Sequence, residues 1–172
     1  MVVRSTPETS LDTWQLFLFY ASDIPHFPIF AAMPRIMAID YGTKRTGLAV
    51  SDPFKIIASG LDTVPTNEIF DYLTRYLNEE EVETFVVGEP MYPDGNPAQI
   101  AHLVVGFVRN LKKLFPHIPV VMQDERYTSV EAKQVILQSG ASQKKRRDKG
   151  LVDKVSAVLI LQEYMERTQY RT

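Results

Sequence analysis

Cysteine is absent from the 172 residues. Its absence removes disulfides, thiolate zinc sites and cysteine nucleophiles together, and fits a reducing compartment. Histidine is scarce: His26, His102 and His117 are too scattered to suggest a metal cluster. The chain also lacks any apolar run long enough to cross a bilayer, the cluster Leu16-Phe17-Leu18-Phe19-Tyr20 being far too short. Nor is there an excess of either charge. A formal net charge of −2 argues against coating nucleic acid through bulk positive charge, so any nucleic-acid function must rest on a local site. What is present is enough apolar material, 45% of residues, for one domain that needs no covalent staples.

The charge is unevenly spread. Residues 1–140 hold 11 Lys+Arg against 17 Asp+Glu, whereas residues 141–172 hold 8 against 4. The densest basic stretch, Lys144-Lys145-Arg146-Arg147-Asp148-Lys149, is bracketed by Gly140 and Gly150 and reads as a mobile basic loop. Taken alone, such a run is a solvated loop.

The first 32 residues differ from the rest. They show no clear period, contain Pro7, Pro25 and Pro28, and do not resemble a secretory signal, because Glu8 and Asp12 stand where a positive segment belongs. Periodicity begins at Met33. We therefore expect residues 1–32 to be an extension outside the domain, residues 33–172 to form that domain, and a chain starting at Met33 to fold.

From Met33 strands and helices alternate. Ile36 to Ile39 is a continuous apolar run suited to a central strand and stops at Asp40. The turn Tyr41-Gly42-Thr43-Lys44-Arg45-Thr46-Gly47 leads back into Leu48-Ala49-Val50 as a hairpin. A third strand spans Ile56 to Val64. Helix one follows, with Thr66 or Asn67 as N-cap and Ile69, Phe70, Leu73 and Leu77 as its stripe. Strand four is Phe85 to Val87. Helix two carries the stripe Ile100, Leu103, Val104, Phe107, Val108 and Leu111, and strand five is Val120 to Met122. Thr128 to Glu131 has the form of a capping box for helix three, which Gly140 stops, and Val152 to Met165 is a last helix. The order β-β-β-α-β-α-β-α-α predicts an α/β fold, with a mixed five-stranded sheet, strand one in its middle and helices on both faces.

This architecture gathers acidic residues. Asp40 ends the central strand, Asp124 and Glu125 end strand five, and Asp153 is expected in the first turn of the last helix, on a stripe with Ala157, Ile160 and Tyr164 that faces the sheet. Each has an ordinary reading alone: a turn former, partners for Arg126, a helix-dipole carboxylate. Together, three hard-oxygen positions at three element ends favour a Mg²⁺ or Mn²⁺ site. Strand alternation lets only one of Asp124 and Glu125 meet Asp40, and Glu89 at the end of strand four is a possible further ligand.

Four stretches, Asp40 to Asp52, Val86 to Pro90 with Asp94-Gly95, Asp124 to Ser129, and Val152 to Ala157, resemble the successive motifs of the YqgF family, also called RuvX. That family is related to the RuvC Holliday-junction resolvases within the RNase H-like fold. The resemblance spans about residues 34–167 and departs from the family at Glu89, where Leu is usual. It implies a cytoplasmic nuclease-like protein, either a nuclease for the 5′ end of precursor 16S ribosomal RNA or a Holliday-junction resolvase acting on branched DNA. Ribosomal particles are implied as partners, and a monomer or homodimer as the working form.

The expected roles follow. Asp40 would bridge two divalent ions whose shells Glu125 or Asp124 and Asp153 complete, one ion activating water and the other stabilising the leaving oxygen. The backbone of Gly42 to Gly47 would approach a phosphate, with Lys44, Arg45 and Arg126 neutralising its neighbours. In that context Lys144, Lys145, Arg146 and Arg147 would hold the flanking strand in a salt-sensitive way. Two other classes compete. The Asp40-to-Lys44 turn resembles the phosphate loop of the sugar-kinase and actin superfamily, whose two-domain cleft 140 residues cannot supply, and a noncatalytic RNA- or ribosome-binding module would keep the fold without cleavage.

Overall fold

The computed structural model describes residues 33–92, 94, 96, 98–124, 128–140, 142, 143 and 148–169, with the backbone alone at 128–131 and 169. The extension over 1–32, Glu125, Arg126 and the run from Lys144 to Arg147 lie outside the described residues. The strands are β1 Arg35–Tyr41, β2 Arg45–Ser51, β3 Ala58–Pro65, β4 Val82–Glu89 and β5 Val120–Asp124. The helices are α1 Ile69–Leu77, α2 Ala101–Leu114, α3 Thr128–Gln138 and α4 Lys149–Gln169.

The sheet order is β3-β2-β1-β4-β5. β1 pairs antiparallel with β2 and parallel with β4, while β2–β3 is antiparallel and β4–β5 parallel. Ile36 to Ile39 are all buried, which requires cover on both sides and so places β1 at the centre. This is the mixed five-stranded α/β architecture expected from the element order.

Alternation along the strands divides the core between two faces. Met37, Ile39, Leu48, Val50, Phe85 and Val87 pack against Ile69 and Leu73 of α1 and Val104, Phe107 and Leu111 of α2. Ile36, Ala38, Ala49 and Val86 pack on the other face against Ala157, Ile160, Leu161 and Met165 of α4. Burying Ile160, Leu161 and Met165 contributes about 1.5–3 kcal/mol each, which seats α4 firmly across the sheet.

Three local expectations need correction. α1 has no side-chain cap: a short 3-10 turn, Thr66–Glu68, precedes it. Thr66 is drawn instead into the β1–β2 hairpin, its hydroxyl donating to the Gly42 carbonyl at 2.6 Å and its N–H to the Lys44 carbonyl at 3.1 Å. Leu103 on α2 is largely exposed, because the buried stripe runs through Val104, Phe107 and Leu111. The last helix begins at Lys149 rather than Val152, since Asp148 caps it by accepting from the Gly150 N–H at 2.9 Å. Asp153 therefore lies beyond the first turn, where the helix dipole no longer accounts for it.

Candidate active site

Asp40 is the last residue of β1 on the α4 face, following Ile36 and Ala38 by alternation. Its neighbour Tyr41 points the opposite way and stacks on Phe107 of α2, with ring centroids 4.5 Å apart. This anchor fixes the strand end and turns the Asp40 carboxyl toward α4. Directly across the hairpin Asp40 pairs with Gly47. A Cβ on Gly47 would collide with the backbone carbonyl of Asp153, so glycine there lets α4 lie directly on β2. That close seating brings Asp153 up to Asp40.

The two carboxylates feel one another. Burial pushes the Asp40 carboxyl up to about 7, and the negative charge of Asp153 pushes in the same direction. The Ser156 hydroxyl, one turn after Asp153, pulls the other way by favouring the charged form. That hydroxyl is itself buried and has no partner of full hydrogen-bond geometry among the described residues. Asp153 has a second neighbour: the Arg45 Nε donates to its Oδ2 at 2.8 Å, both side chains being partly exposed.

The other predicted residues are placed less uniformly. Parallel register aligns Gly88 with Gln123 and Glu89 with Asp124. Gln123 accepts from Arg167 of α4 at 3.1 Å, whereas Val120 and Met122 join the α1–α2 core. By alternation Asp124 and Glu89 fall in phase with the α1–α2 face of the sheet. Glu125 lies outside the described residues. Gly42 serves the hairpin, its N–H donating to the Arg45 carbonyl at 3.0 Å. Gly47 serves helix packing. Gly42, Thr43, Lys44, Arg45, Lys149 and Asp153 line a cavity of about 320 Å³ beside the carboxylates.

Sequence reasoning overlooked Ser156 and Lys149. Ser156 was visible as the residue three positions after Asp153, and therefore on the same helical face. Lys149 was visible only as one cation in the basic run.

Among the described residues no three carboxylate or imidazole side chains are grouped so as to hold a metal. Asp40 and Asp153 make two, and their hard oxygen donors, one of them destabilised as an anion by burial and a like charge, suit a divalent cation.

The raised Asp40 pKa has a stability consequence. Its folded value near 7 lies above its ordinary 3.8, so its protonated form stabilises the fold fully at acid pH, and that contribution is lost as pH rises through 7. Asp40→Asn is expected to remove this slope and to raise the Tm of the metal-free protein at pH 8 by about 5 °C, with little change at pH 4. Melting curves of both proteins in EDTA across that range check this, and parallel pH profiles would refute it.

A mixed five-stranded sheet with a half-buried carboxylate at its central strand and a second one on the closing helix defines an α/β protein with an acidic candidate site. The family model described as RuvX, Holliday junction resolvase, matches residues 34–167. The chain belongs to that family. A relative from Flavobacterium johnsoniae is 46% identical over 138 residues, covering 80% of this chain and 100% of that protein. Another from Porphyromonas gingivalis is 50% identical over 134 residues, covering 78% and 97%. Both carry the name of candidate pre-16S rRNA nuclease. Among solved structures, T. thermophilus RuvC in complex with a Holliday junction substrate is 18% identical with a TM-score of 0.49, covering 78% of this chain and 96% of that one. Among the described residues no helix is long and apolar enough to cross a membrane.

Proposed function

We propose that this chain is a metal-dependent endonuclease that hydrolyses phosphodiester bonds in structured nucleic acid, and that its task is processing the 5′ end of precursor 16S rRNA in the cytoplasm. The observation that carries this reading is the half-buried Asp40 carboxyl, set against the charge of Asp153 beside a cavity lined by Lys44, Arg45 and Lys149. The relatives' names favour ribosomal RNA, and ribosomal particles are the setting in which that substrate occurs. The family description favours a second reading, resolution of branched DNA.

Asp40 and Asp153, with Glu125 from outside the described residues, are the residues that would hold Mg²⁺ or Mn²⁺. Such an ion supplies an activated water and stabilisation of the leaving oxygen. The protein's own residues orient and neutralise. Lys44 and Lys149 present ammonium groups to a polyanion at the cavity; Arg126, Lys144, Lys145, Arg146 and Arg147, which lie outside the described residues, would neutralise further phosphates. Thr66 holds the hairpin that carries Lys44 and Arg45. Gly42 contributes through the shape of that hairpin.

The test compares cleavage of a precursor 16S rRNA 5′ leader with cleavage of a four-way DNA junction, each with Mg²⁺, Mn²⁺ or EDTA. Metal-dependent cutting of the RNA at least tenfold faster than the junction is the expected result. Preference for the junction would favour the recombination reading, and binding without cleavage of either would leave a noncatalytic module.

A further inference from the structure

The Arg45–Asp153 contact is an unusual use of a residue in the phosphate-facing hairpin. Arg45 is the first residue of β2 and lines the cavity shared with Lys44 and Lys149, yet its Nε is held by Asp153 at 2.8 Å. The guanidinium thus sits against the carboxylate that a divalent ion would use. Arginine can serve either kind of site: it pairs with a carboxylate, and its planar fork also matches phosphate. Both ends of the contact are partly exposed, so the pair is weak enough to be exchanged. Asp153 itself is fixed by the seating of its backbone on Gly47, so it does not depend on Arg45 for its position.

We propose that Arg45 is an exchangeable counter-cation: in the metal-free protein it neutralises Asp153, and a divalent ion displaces it into the adjoining cavity, where it joins Lys44 and Lys149 on a backbone phosphate. Metal and nucleic acid then bind with positive coupling, because the ion releases a phosphate-binding group and the phosphate draws away a competitor of the ion. The inference rests on reading Asp40 and Asp153 as a metal site, and its test separates the two.

Mn²⁺ affinity is measured calorimetrically without nucleic acid for the full chain and for Arg45→Gln, Arg45→Lys and Arg35→Gln. Arg35 makes a comparable ion pair with Glu80 at the other end of β1, so its variant is the control. Removing the competitor should tighten Mn²⁺ binding about threefold to tenfold in Arg45→Gln, with Arg45→Lys in between and Arg35→Gln unchanged. Binding of an RNA hairpin is followed by anisotropy against salt. With Ca²⁺ present the logarithmic salt slope of Arg45→Gln should be shallower than that of the unaltered chain by about one, and in EDTA the two should coincide. Unchanged or weaker Mn²⁺ binding in a folded Arg45→Gln overturns the exchange, as do equal salt slopes in Ca²⁺. Failure of the unaltered chain to bind Mn²⁺ at all overturns the metal-site reading and the exchange with it.

Discussion

Asp40→Asn is expected to lower metal-dependent cleavage of structured nucleic acid by at least about a thousandfold, equivalent to about 4 kcal/mol of lost transition-state stabilisation. Asparagine keeps the size and one carbonyl oxygen of aspartate but removes the charge that would face a bound cation. The fold is expected to survive, because the neutral side chain relieves the repulsion from Asp153 and the burial cost that raise the pKa of the native carboxyl. Asp124→Asn provides the contrast. Asp124 shares with Glu89 the sheet face that looks away from Asp40, so this variant should cleave within about threefold of the unaltered chain. Initial rates in Mg²⁺, with circular dichroism on each variant, decide both points. Activity in Asp40→Asn above a tenth of normal would overturn the proposed role, and an equal loss in Asp124→Asn would overturn the division of faces.

The second large effect concerns packing. Gly47→Ala is expected to destabilise the protein by about 3 kcal/mol or more and to lower activity in whatever fraction still folds. The added methyl would meet the Asp153 carbonyl and the following amide, backbone groups inside a helix that cannot turn aside as a side-chain tip can. Gly47 is also the hairpin partner of Asp40 on the central strand, so the sheet has no free edge there to give way. Relief requires α4 to lift, which carries Asp153 and Ser156 away from Asp40. Gly106→Ala makes the comparison sharp. Gly106 lies within α2 with nothing near its missing Cβ, so alanine should stabilise by about 0.5–1 kcal/mol through helix propensity. Denaturant melts of the two variants are expected to move in opposite directions.

The fold was legible in the sequence because its strongest signals are repeated ones. The unbroken apolar run Ile36 to Ile39 demanded a strand covered on both faces, and the order of elements then allowed few sheets. Asp40 and Asp153 were legible for the same reason, as acidic residues interrupting apolar patterns. What was hidden depends on contacts between distant segments. Nothing local to Thr66 shows that its hydroxyl prefers the Gly42 carbonyl to its own helix. The glycine at 47 reads as a turn residue until α4 is seen lying on it. How far β5 runs was hidden too, because strand ends are set by pairing with β4 rather than by composition.

The seating of α4 also sets the order in which the site comes into being. Arg45 and Asp153 are separated by 108 positions in the chain. At about 5–20 residues per second, synthesis delivers Asp153 roughly 5–20 s after the hairpin. Until α4 arrives, Asp40 has no acidic partner from the closing helix and the face of β1 and β2 that carries it is uncovered. A growing chain, or one cut short before α4, therefore lacks the assembled carboxylate pair. Docking of the last helix thus completes two things together, the α4 side of the core and the pairing of Asp153 with Asp40.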